Sequence, residues 1–178
     1  MKKYRLKDGK IMIVREGNGK DADRVLQYIK RVACESDNLT FGEGEFNTTL
    51  EEEVRFIEEC RKSKNSLFLI AEYRGEIISC LTFSGGNRSR IKHYGEFGIT
   101  VLKKYWGLGV GKTLINCLIK WAKDSGIIRK INLKVKADNT KAIALYTKLG
   151  FVKEGAISRF FYHKGEFHDV YVMGLEID

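Results

Sequence analysis

Three glycines, Gly107, Gly109 and Gly111, alternate with apolar residues in the run from Val101 to Ile115. Glycine lets backbone N–H groups close on a ligand and adopt unusual φ values. The run lies between a strand-like segment, Gly95 to Val101, and an amphipathic segment with helical spacing. A helix starting there adds unpaired N–H groups and the positive end of its dipole. Together these form an anion cradle, most often for phosphate, so a phosphorylated small molecule is the expected ligand. A P-loop would need a glycine where Trp106 stands, although Gly111-Lys112-Thr113 fits its end. The dinucleotide fingerprint would need its third glycine at Lys112 or Leu114 and fails as well. On this run alone, a glycine-rich turn that only links strand to helix is the competing reading.

A second run, Asn139 to Phe151, carries further chemistry. Asn139 suits an N-cap and Gly150 a C′ position, so the spacing predicts a helix of about three turns. Ala142, Tyr146 and Leu149 follow the i, i+4, i+7 pattern of one face. Asn139 precedes Tyr146 by almost two turns, at about 3.6 residues per turn, so cap and phenol look the same way. Taken alone, this run reads equally as a core-facing aromatic behind a capping asparagine.

Together the two runs resemble the GNAT superfamily of N-acetyltransferases. The first is similar to its acetyl-CoA pyrophosphate loop, Gln/Arg-x-x-Gly-x-Gly/Ala, with Gly109 and Gly111 at the glycine positions. Trp106 stands where the family has Gln or Arg, and Ser79 where a glycine is common. The second run is similar to the family's Asn-x-x-Ala-x-x-x-Tyr-x-x-x-Gly-Phe helix, and the intervening strand, Lys130 to Val135, is correctly spaced. The resemblance extends from Ile11 to Glu176. It implies acetyl-CoA as co-substrate, no metal, and direct attack of a primary amine on the thioester. Trp106, Gly107, Leu108, Gly109, Val110, Gly111, Lys112 and Thr113 would then form the pyrophosphate loop. Ile99 and Val101 would pair with pantetheine through their main chains, and Asn139, with Ala142 in the same motif, would hold the pantetheine arm. Tyr146 would donate to the coenzyme A sulfur, Glu96 would act as general base through water, and the N–H of Val101 or a neighbour would face the oxyanion.

The chemistry requires such groups. An alkylamine, with a pKa of about 10.4, must lose a proton before it attacks. On its strand Glu96 shares a face with Gly98 and Thr100, opposite Phe97, Ile99 and Val101, so it can address a cleft. Between Glu35 and Glu59 nine acids surround a single basic residue, Arg55, in a chain of net charge +9. The loop acids Glu35, Asp37, Glu43 and Glu45, interleaved with Phe41 and Phe46, are candidate acceptor-binding residues. They suit a cationic acceptor such as a polyamine or a basic peptide N-terminus. Glu51 to Glu53 read as ordinary first-turn helix acids.

The elements that must position these residues alternate between strand and helix, which indicates α/β. Asp8-Gly9 predicts an N-terminal hairpin over residues 3–15. Helical spacing runs from Asp21 to Ala33 and again from a capping box at Thr48 to Glu51, with a stripe of Leu50, Val54, Ile57 and Cys60. Strands follow at Leu67 to Glu72 and Ile77 to Phe83, and a last hairpin turns at Lys164-Gly165. The expectation is one domain over residues 1–178: a mixed twisted sheet of about seven strands with about four helices. The resemblance adds that two central strands splay apart to hold the cofactor.

Composition narrows the function classes. No apolar run reaches the length of a membrane span, and the N-terminus lacks an apolar stretch behind its charges, so neither a membrane protein nor a signal peptide is expected. Cys34, Cys60, Cys80 and Cys117 have no paired spacing and His93, His163 and His168 no ligand spacing, which points to reduced thiols in a cytoplasmic protein without a metal. Basic residues are spread along the chain without a nucleic-acid-binding pattern, so no nucleic acid is expected. Lys103, Lys104, Lys112 and Lys141 flank the two runs and would steer a polyanionic coenzyme. The reading is therefore an N-acetyltransferase, with homodimerisation left open and a non-catalytic acyl-CoA sensor of the same fold as the alternative.

Overall fold

Turn chemistry sets both ends of the sheet. Gly9 takes φ +85° and Lys10 N–H donates to Asp8 Oδ1 at 3.2 Å, closing β1 (Lys2–Arg5) onto β2 (Ile11–Glu16). Lys164 and Gly165, at φ +51° and +84°, close β7 (Val152–His163) onto β8 (Glu166–Glu176). Two positive φ values in succession match the twist of a two-residue hairpin. Between these hairpins run α1 (Ala22–Glu35), α2 (Leu50–Lys62), β3 (Ser66–Tyr73), β4 (Glu76–Gly85), β5 (Tyr94–Val101), α3 (Val110–Ser125), β6 (Lys130–Lys136) and α4 (Thr140–Lys148). The computed structural model describes residues 1–178.

The strands form one sheet in the order β1-β2-β3-β4-β5-β6-β8-β7, antiparallel except between β5 and β6. Eight strands stand where about seven were expected, because β1 pairs along its whole length with β2 as an edge strand. The parallel pair is short: only Tyr94, Gly95 and Glu96 of β5 pair with Lys130, Ile131 and Asn132. Beyond Glu96 the two strands part, as the resemblance implied.

The two faces of the sheet are covered differently. Phe97 packs with Tyr146 of α4 and with Phe151 on one face. On the other, Tyr28 of α1 reaches Thr100 Oγ1 at 2.8 Å, and Phe56 of α2 meets Phe68 edge-on. A single apolar cluster fills both layers, from Met12, Ile57 and Leu81 to Leu114, Leu133 and Phe151.

The second helix departs from its expected phase. Thr49, not Thr48, is the N-cap, and Glu52, not Glu51, completes the capping box. Leu50 is the first helical residue and remains 45% exposed, whereas Glu53, Ile57 and Cys60 turn inward. No helix in the chain is long and apolar enough to cross a membrane.

Candidate active site

The slit between β5 and β6 is lined by main chain. Leu102 N–H donates to Ile78 O, which turns the even-numbered residues at this end of β5 toward β4. The odd-numbered residues, Phe97, Ile99 and Val101, therefore point their N–H and C=O groups at the slit, where β6 no longer pairs. These are the two strand positions, Ile99 and Val101, singled out by sequence. One of their groups is already occupied: the Trp106 indole N–H donates to Val101 O at 2.7 Å.

The glycine loop closes the end of the slit. Gly107 and Gly109 have φ +77° and +94°, and Gly109 is the left-handed residue that launches α3. Thr113 N–H is the first amide of the helix to be paired, donating to Gly109 O at 3.0 Å. The N–H groups of Val110, Gly111 and Lys112 ahead of it are free, as an anion cradle requires. A Cβ on Gly111 would meet only Leu145, Ile99 and Val101, at 3.7 to 4.0 Å. The chain itself leaves room there, in the angle between α3, α4 and the open edge of β5. Val110 is buried beneath the loop and Leu108 half-buried, so they build it, and Thr113 Oγ1 donates back to Gly109 O.

Tyr146 projects from α4 into an aromatic trio with Phe97 and Phe151, at centroid distances near 6 Å. It is 8% exposed, and burial pushes its phenol up to about 12, so the proton stays on at neutral pH. Asn139 caps α4 through its side-chain oxygen, which accepts from Ala142 N–H at 3.2 Å. Its amide NH2 remains available as a donor.

Glu96 faces the other side of the sheet. Lys134 of β6 donates to its Oε2 at 2.6 Å, leaving Oε1 open. The residue is partly exposed, flanked by Gly98, around whose absent Cβ there is nothing within 4 Å.

The acidic loop is less free than its composition implies. Glu35 Oε2 accepts from the Lys103 backbone N–H at 2.6 Å and its other oxygen meets Arg31, so it ties α1 to the end of β5. Asp37 pairs with Lys164 at 2.9 Å and faces His163 at 3.4 Å, joining the loop to the β7–β8 hairpin. The hydrogen bond and charge of Lys164 hold its carboxyl below the usual range. Glu45 accepts from Gly42 N–H at 2.6 Å and closes its own turn. Glu43 alone of the four is exposed with no ion pair; its carboxylate lies near the Cys34 thiol and helps raise it, and Phe41 and Phe46 on either side in sequence pack tilted at 5.2 Å. Among the lysines expected to steer a coenzyme, Lys104 is spent on Glu76 at 2.9 Å, while Lys112 and Lys141 are exposed without partners.

Several residues around the slit carry no sequence signal. Tyr28 and Thr100 bond across α1 and β5, and Lys134 clamps Glu96. Only the alternation of β6, with Lys130, Asn132, Lys134 and Lys136 on one face, could have pointed to Lys134.

Residues 31–151 match the profile of the acetyltransferase (GNAT) family. An L-amino acid N-acetyltransferase of Escherichia coli K12 is 32% identical over 105 residues, which is 59% of this chain and 65%, just under two thirds, of that enzyme. The crystal structure of a GNAT-family acetyltransferase from Streptococcus pneumoniae matches with a TM-score of 0.91 at 35% identity, over 93% of this chain and 99% of that one. The protein yncA of Salmonella typhimurium, solved with its cofactor acetyl-CoA, shares the fold at a TM-score of 0.81 and 18% identity, over 94% of each chain.

Proposed function

The chain belongs to the acetyltransferase (GNAT) family, and from that premise we propose that it transfers the acetyl group of acetyl-CoA to a primary amine. The observation that carries this reading is the unpaired β5 edge at Ile99 and Val101, with the amide cradle of α3 at its end and the Tyr146 ring packed on Phe97 of the same strand. Acetyl-CoA fits these features in order. Its pyrophosphate takes the N–H groups of Val110, Gly111 and Lys112, and its pantetheine arm completes the ladder that β6 abandons. Asn139 supplies a side-chain donor to the same arm.

The acceptor enters from the Glu96 face. Its nitrogen attacks the thioester carbonyl, Glu96 takes the nitrogen's proton directly or through water, and the N–H of Val101 or a neighbour faces the developing oxyanion. The C–S bond then breaks. A thiol titrates at about 8.5, well below the Tyr146 phenol at about 12. Tyr146 therefore serves by donating a hydrogen bond to the leaving sulfur more than by surrendering its proton. The acceptor is a small-molecule amine or a peptide N-terminus; the Escherichia coli relative is named for amino acids as acceptors.

The test is an amine panel with acetyl-CoA, read out as free thiol. Amine-dependent thiol release is expected. Saturable acetyl-CoA binding without release for any amine would instead identify an acyl-CoA sensor of the same fold.

A further inference from the structure

Two enclosed side-chain polar atoms lack a hydrogen-bond partner, Asn132 Oδ1 and His163 Nε2. The imidazole nitrogen at least faces a carboxylate, Asp37, at 3.4 Å. Asn132 is 4% exposed, and a buried acceptor left without a donor is costly to keep.

The sheet sets that oxygen beside Glu96. β5 and β6 part after three in-register pairs, and Glu96 with Asn132 is the last of them. Hydrogen bonds on either side show that both side chains occupy one face. Asn132 Nδ2 donates to the Tyr94 hydroxyl at 3.2 Å, two residues before Glu96. Lys134, two residues after Asn132, donates to Glu96 Oε2 at 2.6 Å. Neighbouring strands lie about 4.8 Å apart, so a carboxylate and an amide in register come within hydrogen-bond reach. On the far side β8 places Gly174 in register with Asn132, and the Glu154 carboxyl, paired with Lys130, lies over that glycine. On β4 the residue in register with Glu96 is the uncharged Ser84. Both ammonium groups are therefore engaged by carboxylates. The carboxylate oxygens that remain are acceptors, and an ionised carboxylate cannot donate to an amide oxygen.

We propose that Asn132 is a positioning residue for the base, its Oδ1 accepting a hydrogen bond from Glu96 once Glu96 has taken the amine's proton. This rests on the acetyl-transfer reading above. The N–H bond of the attacking amine breaks and an O–H bond forms on Glu96 Oε1, directly or across one water. The amine loses one proton, Glu96 gains it, and the new O–H turns to Asn132 Oδ1. Lys134 holds the carboxylate before the transfer and Asn132 holds the acid after it. The orphaned oxygen gains its donor only in the state that the reaction creates. Its enclosure keeps bulk water from competing for it.

The test compares Asn132→Leu with Asn132→Asp. Leucine is close in size and removes the acceptor. With the best amine of the panel, kcat of Asn132→Leu should fall about tenfold at neutral pH, part of the 10²–10⁴ that a positioned base contributes. The acid limb of its pH profile should move to lower pH, because the lost hydrogen bond favoured the protonated form. Asn132→Asp sets a second carboxylate beside Glu96, and its acid limb should move to higher pH. The melting temperature of Asn132→Leu should not fall, since an unpartnered buried oxygen leaves with the amide. In a Glu96→Gln background Asn132→Leu should change kcat less than about twofold, because the two residues act as one unit. An unmoved acid limb, or a tenfold loss repeated in the Glu96→Gln background, overturns the proposal and makes Asn132 structural. Where Asn132→Leu does not fold, the direction of the Asn132→Asp limb decides alone. A wild-type kcat in Glu96→Gln puts the base elsewhere and removes this role with it. Absence of thiol release with every amine overturns the acetyl-transfer reading as well.

Discussion

At the scale of single residues, the proposed site holds two hydrogen-bond donors whose hydroxyl or N–H is separable from their packing. The Tyr146 ring is fixed by Phe97 and Phe151, so Tyr146→Phe keeps the aromatic trio and deletes only the donor. Turnover should fall about 10²-fold, the scale of a positioned acid or oxyanion donor, with acetyl-CoA affinity nearly unchanged. A rate within a factor of about three of wild type would reduce Tyr146 to core packing. Trp106 acts in the opposite sense. Its indole N–H holds Val101 O at 2.7 Å, the carbonyl that pantetheine would use. Trp106→Phe removes that competitor. A neutral hydrogen bond has a net worth of about 1 kcal/mol, so acetyl-CoA should bind up to about fivefold more tightly. Equal or weaker binding by isothermal titration would show that the indole and the cofactor do not compete.

At the scale of elements, what the sequence revealed depended on how local the determining interaction was. Hairpins at Asp8-Gly9 and Lys164-Gly165 and the Asn139 cap are fixed by neighbours in the chain, and all three lie where turn chemistry put them. Helix α2 shows where that fails. Two adjacent threonines and three adjacent glutamates permit two capping boxes, and only tertiary packing selects Thr49 with Glu52. With Ile57 and Cys60 set against the sheet, the residue one turn before Ile57 comes inward, and that residue is Glu53. A hydrophobic stripe cannot announce a glutamate, so Glu53 reads in the sequence as an ordinary first-turn acid. The loop acids are less free than their composition implies, because composition counts charges without their partners; Lys103, Lys164 and Gly42 lie far away or in the backbone. The cap is testable directly. Thr49→Ala removes the acceptor for Glu52 N–H and should cost about 1 kcal/mol in urea unfolding, while Thr48→Ala should cost little. The reverse order would return the helix to the earlier box.

At the scale of the whole molecule, the sheet opens widest at one place. Every neighbouring pair of strands is zipped along much of its length, but β5 and β6 hold together only from Tyr94 to Glu96. Beyond that pairing, Phe97 packing on Tyr146 and Phe151 and the Asp37–Lys164 pair tie the two halves together, so the region around the slit is the part of the fold that a ligand can still tighten. A cofactor that supplies the missing ladder would bind the folded chain and not the unfolded one, and its stabilisation would follow from concentration over Kd. At 100 to 1,000 times Kd it amounts to about 3–4 kcal/mol. For a domain of this size each kcal/mol moves the melting point by about 2–4 °C. With micromolar affinity, millimolar acetyl-CoA should therefore raise Tm by about 5–15 °C. Gly109→Val should abolish the shift, since φ +94° strains any branched residue and its side chain would project at the cradle. Gly111→Val tests the same point without φ strain, because its Cβ has ordinary contacts within the chain. If folded Gly111→Val keeps the full shift, the pyrophosphate does not lie on the α3 amides. A wild-type shift below about 1 °C would mean a Kd no better than the ligand concentration used, and the slit would lose its claim to the cofactor.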